Sequence, residues 1–264
     1  MKITTNYHTH TYRCKHADGD IDDYCRAAIK KGLTTLGFSD HTPFIDNKWL
    51  AIRMNINELD DYCNALDRAQ VKFPELTILK GMECEYRVES EDFLRDELLG
   101  NRNFDYLVLG PHFFPYEGEY LCSYGGPVNA ATLWAYTDHL VEAMQTGLFA
   151  FVAHPDLFGN SYITWDDNCI ACSREILRTA EQLKIPLEIN GCGIRKGKKD
   201  FGGIMRYQYP LEDFWSLASE YDITVIVNSD AHTPGDIIDS MQTGYDMAEL
   251  YNLKLADMTY LERP

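Results

Sequence analysis

The chain has 264 residues, 45% of them hydrophobic and 25% charged, with a formal net charge of −17. This composition excludes a disordered or low-complexity chain and allows one sizeable core. The acidic excess disfavours a nucleic-acid partner, whose phosphates need a Lys/Arg surface, and no apolar run approaches the roughly 20 residues that span a bilayer.

Short β-rich runs alternate with amphipathic stretches along the chain. A strand is expected over 2–7, then a helix over 20–31 closed by Gly32, and a second strand over 34–38. The spacing of Leu59, Tyr62, Cys63, Leu66 and Ala69 predicts a helix over 57–71. A third strand over 77–82 and a short helix over 91–99, stopped at Gly100, come next. A strand over 106–109, a helix over 129–145, a strand over 149–153 and a helix over 167–183 follow. The pattern closes with a strand over 187–189, a helix over 211–221 after Pro210, a strand over 224–228 and a helix over 236–251. The strands are near-continuous apolar runs such as Thr224–Asn228, which suits a parallel sheet buried on both faces. Seven βα units in one α/β domain, residues 1–264, predict a barrel with one strand fewer than the usual eight. An open doubly wound sheet is the alternative. Three loops are long: 42–56, the aromatic 113–128 and the basic 191–210.

Residues 1–7 lack the apolar core of a leader peptide, so a cytoplasmic location is expected. The eight cysteines are scattered and read as reduced thiols there. Cys169-x-x-Cys172 falls in an expected helix and has no second pair with which to build a four-cysteine zinc site.

The histidines carry the chemistry. His8, His10, His16, His41, His112, His154 and His232 all sit where an expected strand gives way to a loop, and only His139 falls inside a helix. Glu83 occupies a further strand end, and Asp230 shares that of His232. Any one of them could be a turn residue with a local hydrogen bond. Six strand ends each bearing imidazole or carboxylate point instead to a divalent-metal site, because strand ends of one rim converge.

Taken in order, His8-x-His10, Cys14-x-His16, Ser39-Asp40-His41, Gly81-x-Glu83, His112, His154 and Ser229-Asp230-x-His232 resemble the PHP (polymerase and histidinol phosphatase) family. The resemblance covers residues 8–232 and implies a distorted (β/α)7 TIM-like barrel with three divalent metals, Zn, Fe or Mn, at the C-terminal ends of the strands. It assigns His8, His10, Glu83 and Asp230 to the first metal and His112 and His154 to the second, with Glu83 shared. His16, His41 and His232 fall to the third. Within the family, Glu188-Ile-Asn190-Gly-Cys-Gly193-Ile-Arg195-Lys196 and the later Tyr209-Pro210 resemble the histidinol-phosphate phosphatases. The implied activity is hydrolysis of a small phosphate monoester, L-histidinol phosphate first, as in histidine biosynthesis. Another PHP phosphoesterase, acting on a nucleotide, a sugar phosphate or phosphotyrosine, and an inactive binding module stay open as alternatives.

Arg195 is the expected phosphate ligand, because a guanidinium fork matches phosphate oxygens. Lys196 and Asn190 stand beside it. Phe113 and Tyr124 are expected to wall the substrate, with Phe114 and Tyr116. Asp40 and His232 are the candidate acids for the leaving group. Many such phosphatases carry an arginine shortly after the fifth-strand histidine; here His154-Pro-Asp-Leu-Phe158 has none, which leaves Arg206 or Lys198 to supply a second cation.

Overall fold

A computed structural model describes residues 2–262, which fall into two compact units. The first holds residues 2–108, 228–242 and 257–262. It contains β1 (Thr5–Asn6), α1 (Ile21–Lys31), β2 (Thr35–Phe38), α2 (Leu59–Lys72), β3 (Thr77–Cys84) and most of β4 (Tyr106–Leu109). Its strands run in the order β1-β2-β3-β4, and β1, β2 and β3 pair in parallel. α1 starts at Asp20, whose carboxylate accepts from the Ile21 N–H while Asp23 accepts from the Asp20 N–H. This reciprocal cap satisfies donors the first turn would otherwise leave open. The helix ends at Gly32, whose φ of 80° suits a residue without Cβ.

Two glycines set the floor of this unit. A Cβ at Gly37 would lie 2.1 Å from the Tyr106 hydroxyl, and one at Gly81 would lie 2.3 Å from Tyr106 Cζ. The space they leave admits the buried Tyr106 ring, whose hydroxyl donates to Tyr7 O at 2.7 Å. The ring so locks three strands just below the ends that carry His8, His41 and Glu83.

Among the boundaries that differ from expectation, two lie beside the strand-end histidines and Glu83. β1 covers only Thr5–Asn6, because the Tyr7 N–H donates to the Asn228 side chain at 2.8 Å rather than to a neighbouring strand. β3 continues to Cys84, because Glu83 N–H donates to Asp40 O and Thr42 N–H donates to Glu83 O in a parallel bridge with His41. Glu83 therefore sits on strand backbone and not on the loop after it. The short helix expected near residue 91 forms over Phe93–Asn101 as a wide, π-type segment.

The second unit holds residues 109–227 and 243–256. Its elements are the hairpin β5 (Phe113–Tyr116) and β6 (Glu119–Cys122), α3 (Ala130–Gln145), β7 (Phe151–Val152), α4 (Asp167–Leu183) and β8 (Leu187–Asn190). A short α5 (Gly191–Arg195), the hairpin β9 (Lys199–Asp200) and β10 (Met205–Arg206), α6 (Glu212–Ala218), β11 (Thr224–Asn228), α7 (Met241–Leu250) and β12 (Lys254–Leu255) complete the set. The order here is β7-β8-β11-β12, with β7–β8 and β11–β12 parallel. Cys169 and Cys172 both lie in α4, buried and reduced.

The main sheet strands number eight among the described residues, one more than the seven expected. The extra strand, β12, is two exposed residues whose Ala256 N–H donates to Val225 O, so no hydrophobic run announces it. The aromatic and basic loops also contain hairpins. β5 and β6 turn through Glu117 and Gly118, both at positive φ (50° and 84°), the conformation of a two-residue hairpin turn. Pro115 lies inside β5, which argues against a strand by sequence and is tolerated at an edge.

Candidate metal centre

In the first unit the strand ends bring their imidazoles and carboxylates together. His8 Nε2 and His10 Nε2 stand 3.1 Å apart. Glu83 Oε2 lies 3.5 Å from each of them and 3.0 Å from His41 Nδ1. Asp230 Oδ1 lies 3.2 Å from His10 Nε2, 3.6 Å from His8 Nε2 and 3.4 Å from His232 Nδ1. The His10 ring packs 4.6 Å from His41 and 4.4 Å from His232, and His16 closes the group at 5.3 Å from His41 and 4.9 Å from His232. Backbone bonds beyond the strands fix this: His10 N–H donates to Ala231 O and Ser39 N–H donates to Thr9 O, with Thr9 and Ala231 in a parallel bridge.

Two of the rings have a defined tautomer. His16 Nδ1 lies 2.7 Å from Cys14 O and His232 Nδ1 lies 3.1 Å from Asp230 O. A carbonyl only accepts, so Nδ1 carries the proton and Nε2 presents its lone pair. Metal-ligating histidines are oriented by such a bond to a backbone carbonyl.

Protonation favours cation binding. Burial lowers the His10 pKa against the pull of Asp230 and Glu83, and burial lowers that of His232 to about 4. Burial opposes ionisation of Asp230, yet His8, His10 and His232 hold its carboxyl well below the usual range. Imidazoles beside an ionised carboxylate are the donor set of a divalent transition metal. Asp230 also holds φ at 48° and, in the second unit, His154 holds φ at 30°. Left-handed backbone at a non-glycine residue costs on the order of 1 kcal/mol or more and concentrates at functional sites.

Asp40, one of the two candidate acids, is wholly buried. Its oxygens accept from Thr11 N–H at 2.9 Å and Thr11 Oγ1 at 2.6 Å, and burial pushes its pKa up to about 7. It thereby shapes the turn between His10 and His16. His232, the other candidate, is partly exposed at its side chain (23%). Behind the His41–Glu83 bridge stands a pair that sequence reasoning missed. Arg53, fully buried, donates to both oxygens of the equally buried Glu85 at 2.7 and 2.8 Å and to Thr42 O at 2.8 Å. Glu85 follows directly on β3, two residues after Glu83, but nothing local marks Arg53 as its partner.

In the second unit His112 and His154 come together with ring centroids 4.8 Å apart. The hairpin holds the first: Ser123 N–H donates to His112 O at 2.8 Å and Ser123 Oγ to Pro111 O at 2.5 Å. The second is held by Glu188, whose Oε2 accepts from His154 N–H at 3.2 Å and Asn190 Nδ2 at 2.7 Å. Asn190 then caps α5, its Oδ1 accepting from Gly193 N–H, so α5 carries Arg195, half-buried, at its end. Tyr124 stacks on His112 at 6.3 Å with planes 6° apart. Phe113 is half-buried, whereas Phe114 is buried against Tyr136 and belongs to the core.

Arg206 directs its guanidinium at the carbonyls of Tyr207 and Gly159 and lies over the Phe201 ring at 4.1 Å. Lys198 pairs with Glu212 at 2.7 Å. His139 is buried in α3, outside both ligand groups. Asp156 was not anticipated: its Oδ2 accepts from Leu211 N–H at 2.6 Å and Trp215 Nε1 at 3.1 Å, tying the segment after His154 to that after Pro210.

Among solved structures, histidinol phosphate phosphatase from Lactococcus lactis, complexed with zinc, L-histidinol and phosphate, matches with a TM-score of 0.75 at 15% identity, over 98% of this chain and 97% of that one. That likeness shows the fold, a distorted TIM-like α/β barrel. A "Probable histidinol-phosphatase" of Deinococcus radiodurans is 30% identical over 241 residues, covering 87% of this chain and 86% of the relative. One of the same description from Schizosaccharomyces pombe is 25% identical over 266 residues, covering 90% and 82%. The family model of the PHP domain matches residues 6–191. With the ligand residues in family order and that match spanning most of the chain, the protein belongs to the PHP domain family.

Proposed function

We propose that the chain is a metal-dependent phosphomonoesterase that hydrolyses L-histidinol phosphate to L-histidinol and phosphate, a step of histidine biosynthesis. The observation that carries this reading is the approach of His8 Nε2 and His10 Nε2 to 3.1 Å against Glu83 and Asp230. Two buried imidazoles aimed at one another in this way fit a shared cation. The substrate comes from the relatives' descriptions and from the Asn190–Lys196 segment.

His8, His10, His16, His41, Glu83, His112, His154, Asp230 and His232 are the proposed holders of three divalent cations. When bound, such ions lower the pKa of water to supply a nucleophile near neutral pH and offset charge on the phosphoryl oxygens. Arg195 is the proposed phosphate ligand, with Lys196 beside it, and its guanidinium would orient the ester. Asn190 acts by capping α5. Phe113 and Tyr124 wall the leaving group. The net charge of −17 suits a substrate bearing an ammonium and an imidazole.

Phosphate release from L-histidinol phosphate, a nucleoside monophosphate, a sugar phosphate and phosphotyrosine separates the alternatives. Preference for L-histidinol phosphate by about tenfold or more in kcat/KM is expected. An equal preference for another monoester would leave the phosphatase reading and remove the substrate.

A further inference from the structure

Tyr209 is fully buried although it sits on the long segment between α5 and α6. Its place is fixed from two sides. A Cβ at Gly193 would lie 2.3 Å from Tyr209 O and 2.5 Å from its ring, and a Cβ at Gly159 would lie 2.3 Å from Gln208 O. Asp156 then holds the next turn through Leu211 N–H. These contacts set the edge of the Tyr209 ring against His154, with centroids 5.9 Å apart. Tyr124, stacked on His112, meets Tyr209 at 6.4 Å.

The ammonium of Lys196 lies 5.0 Å from the Tyr124 ring centroid and donates to the Tyr209 hydroxyl at 2.5 Å. An exposed lysine gives up on the order of 1–2 kcal/mol of rotamer freedom when held so. The Tyr124 ring and a hydroxyl return that much. The electrostatics are less obvious. A fixed ammonium one ring away from two histidines that hold cations is repelled, unless an anion lies among them. The ammonium has three N–H groups and Tyr209 takes one, leaving donors for such an anion.

We propose that Tyr209 is a positioning residue that holds the Lys196 ammonium beside His112 and His154 as a ligand of the substrate's phosphate oxygens. This rests on the phosphatase reading and adds to it a residue and its mode of action. Tyr209 acts through Lys196, and its buried hydroxyl stays with the ammonium.

The test uses metal-replete enzyme, L-histidinol phosphate as substrate and inorganic phosphate as competing ligand, with metal content measured for every variant. Lys196→Met should raise the phosphate inhibition constant and KM by about 10- to 100-fold at unchanged metal content. Tyr209→Phe keeps the ring and should cost about 3- to 10-fold. In the Lys196→Met background the same change should cost less than about twofold, because the two residues act as one unit. Lys196→Arg should recover much of the lost affinity, since a guanidinium can stack on Tyr124 and donate to the same hydroxyl. Wild-type phosphate affinity in Lys196→Met, a full additive cost of Tyr209→Phe without Lys196, or loss of metal in Tyr209→Phe overturns the proposal. If the wild type releases phosphate and Lys196→Met binds it normally, only this inference fails. If the replete wild type hydrolyses no monoester, the phosphatase reading fails with it.

Discussion

Replacing Arg53 by methionine should loosen the protein at the base of the His41–Glu83 bridge. Arg53 makes two bonds to Glu85 and one to Thr42 O, all at 2.7–2.8 Å and all buried. Hydrogen bonds to charged groups contribute about 1.5–3 kcal/mol each, which sets a ceiling near 5–9 kcal/mol. The guanidinium is also desolvated, and removing it recovers part of that sum. Breaking a buried pair by deleting one partner typically costs about 3–5 kcal/mol, because the other charge is stranded. Its packing over Phe44 and Trp49, at 5.0 and 5.4 Å, is partly kept by the methionine. The expected loss is therefore about 4 kcal/mol, read as a shift in the urea midpoint of metal-free protein at constant slope. Arg53→Met combined with Glu85→Leu should regain most of it. A single-variant cost below about 1 kcal/mol, or a double variant no more stable than the single, would refute the reasoning.

Glu83→Gln should lose bound metal and activity together, since it replaces the carboxylate that approaches His8, His10 and His41; metal analysis beside phosphate release checks this. Arg195→Ala should keep its metals and raise the inhibition constant for inorganic phosphate by about 10- to 100-fold; native-rate hydrolysis would clear Arg195 of the role. Burial pushes the Asp156 pKa up to about 7, so ionising it strains the folded state. Its folded value lies above the unfolded value, so the protein is most stable with respect to this group below about pH 4 and loses stability as pH rises to 7. Asp156→Asn does not titrate and should gain on the wild type as pH rises between those limits; a difference in unfolding free energy that stays flat with pH would contradict it.

The gathering of the strand-end histidines was legible because residue type and strand-end position both survive in the bare sequence. The ends of α1 were legible too, set by the capping carboxylate of Asp20 and by Gly32. What the sequence hid depends on neighbours remote in the chain. Glu83 is a strand residue because Asp40 and Thr42 extend the ladder past Met82. β12 is two exposed residues that pair only because β11 offers an edge. The β5–β6 hairpin was obscured by Pro115, and Arg53 finds Glu85 across 32 positions. Tyr209 showed itself as part of a motif but not as a ring against His154, a placement set by Gly159, Gly193 and Asp156.

Phosphate release from L-histidinol phosphate, measured on one preparation as purified, after chelation and after divalent metal is restored, with metal content determined at each stage, bears most directly on this account. Activity should fall with the metal and return with it, with L-histidinol phosphate preferred over other monoesters. Full activity in metal-free protein, or none toward any monoester in metal-replete protein, would contradict it.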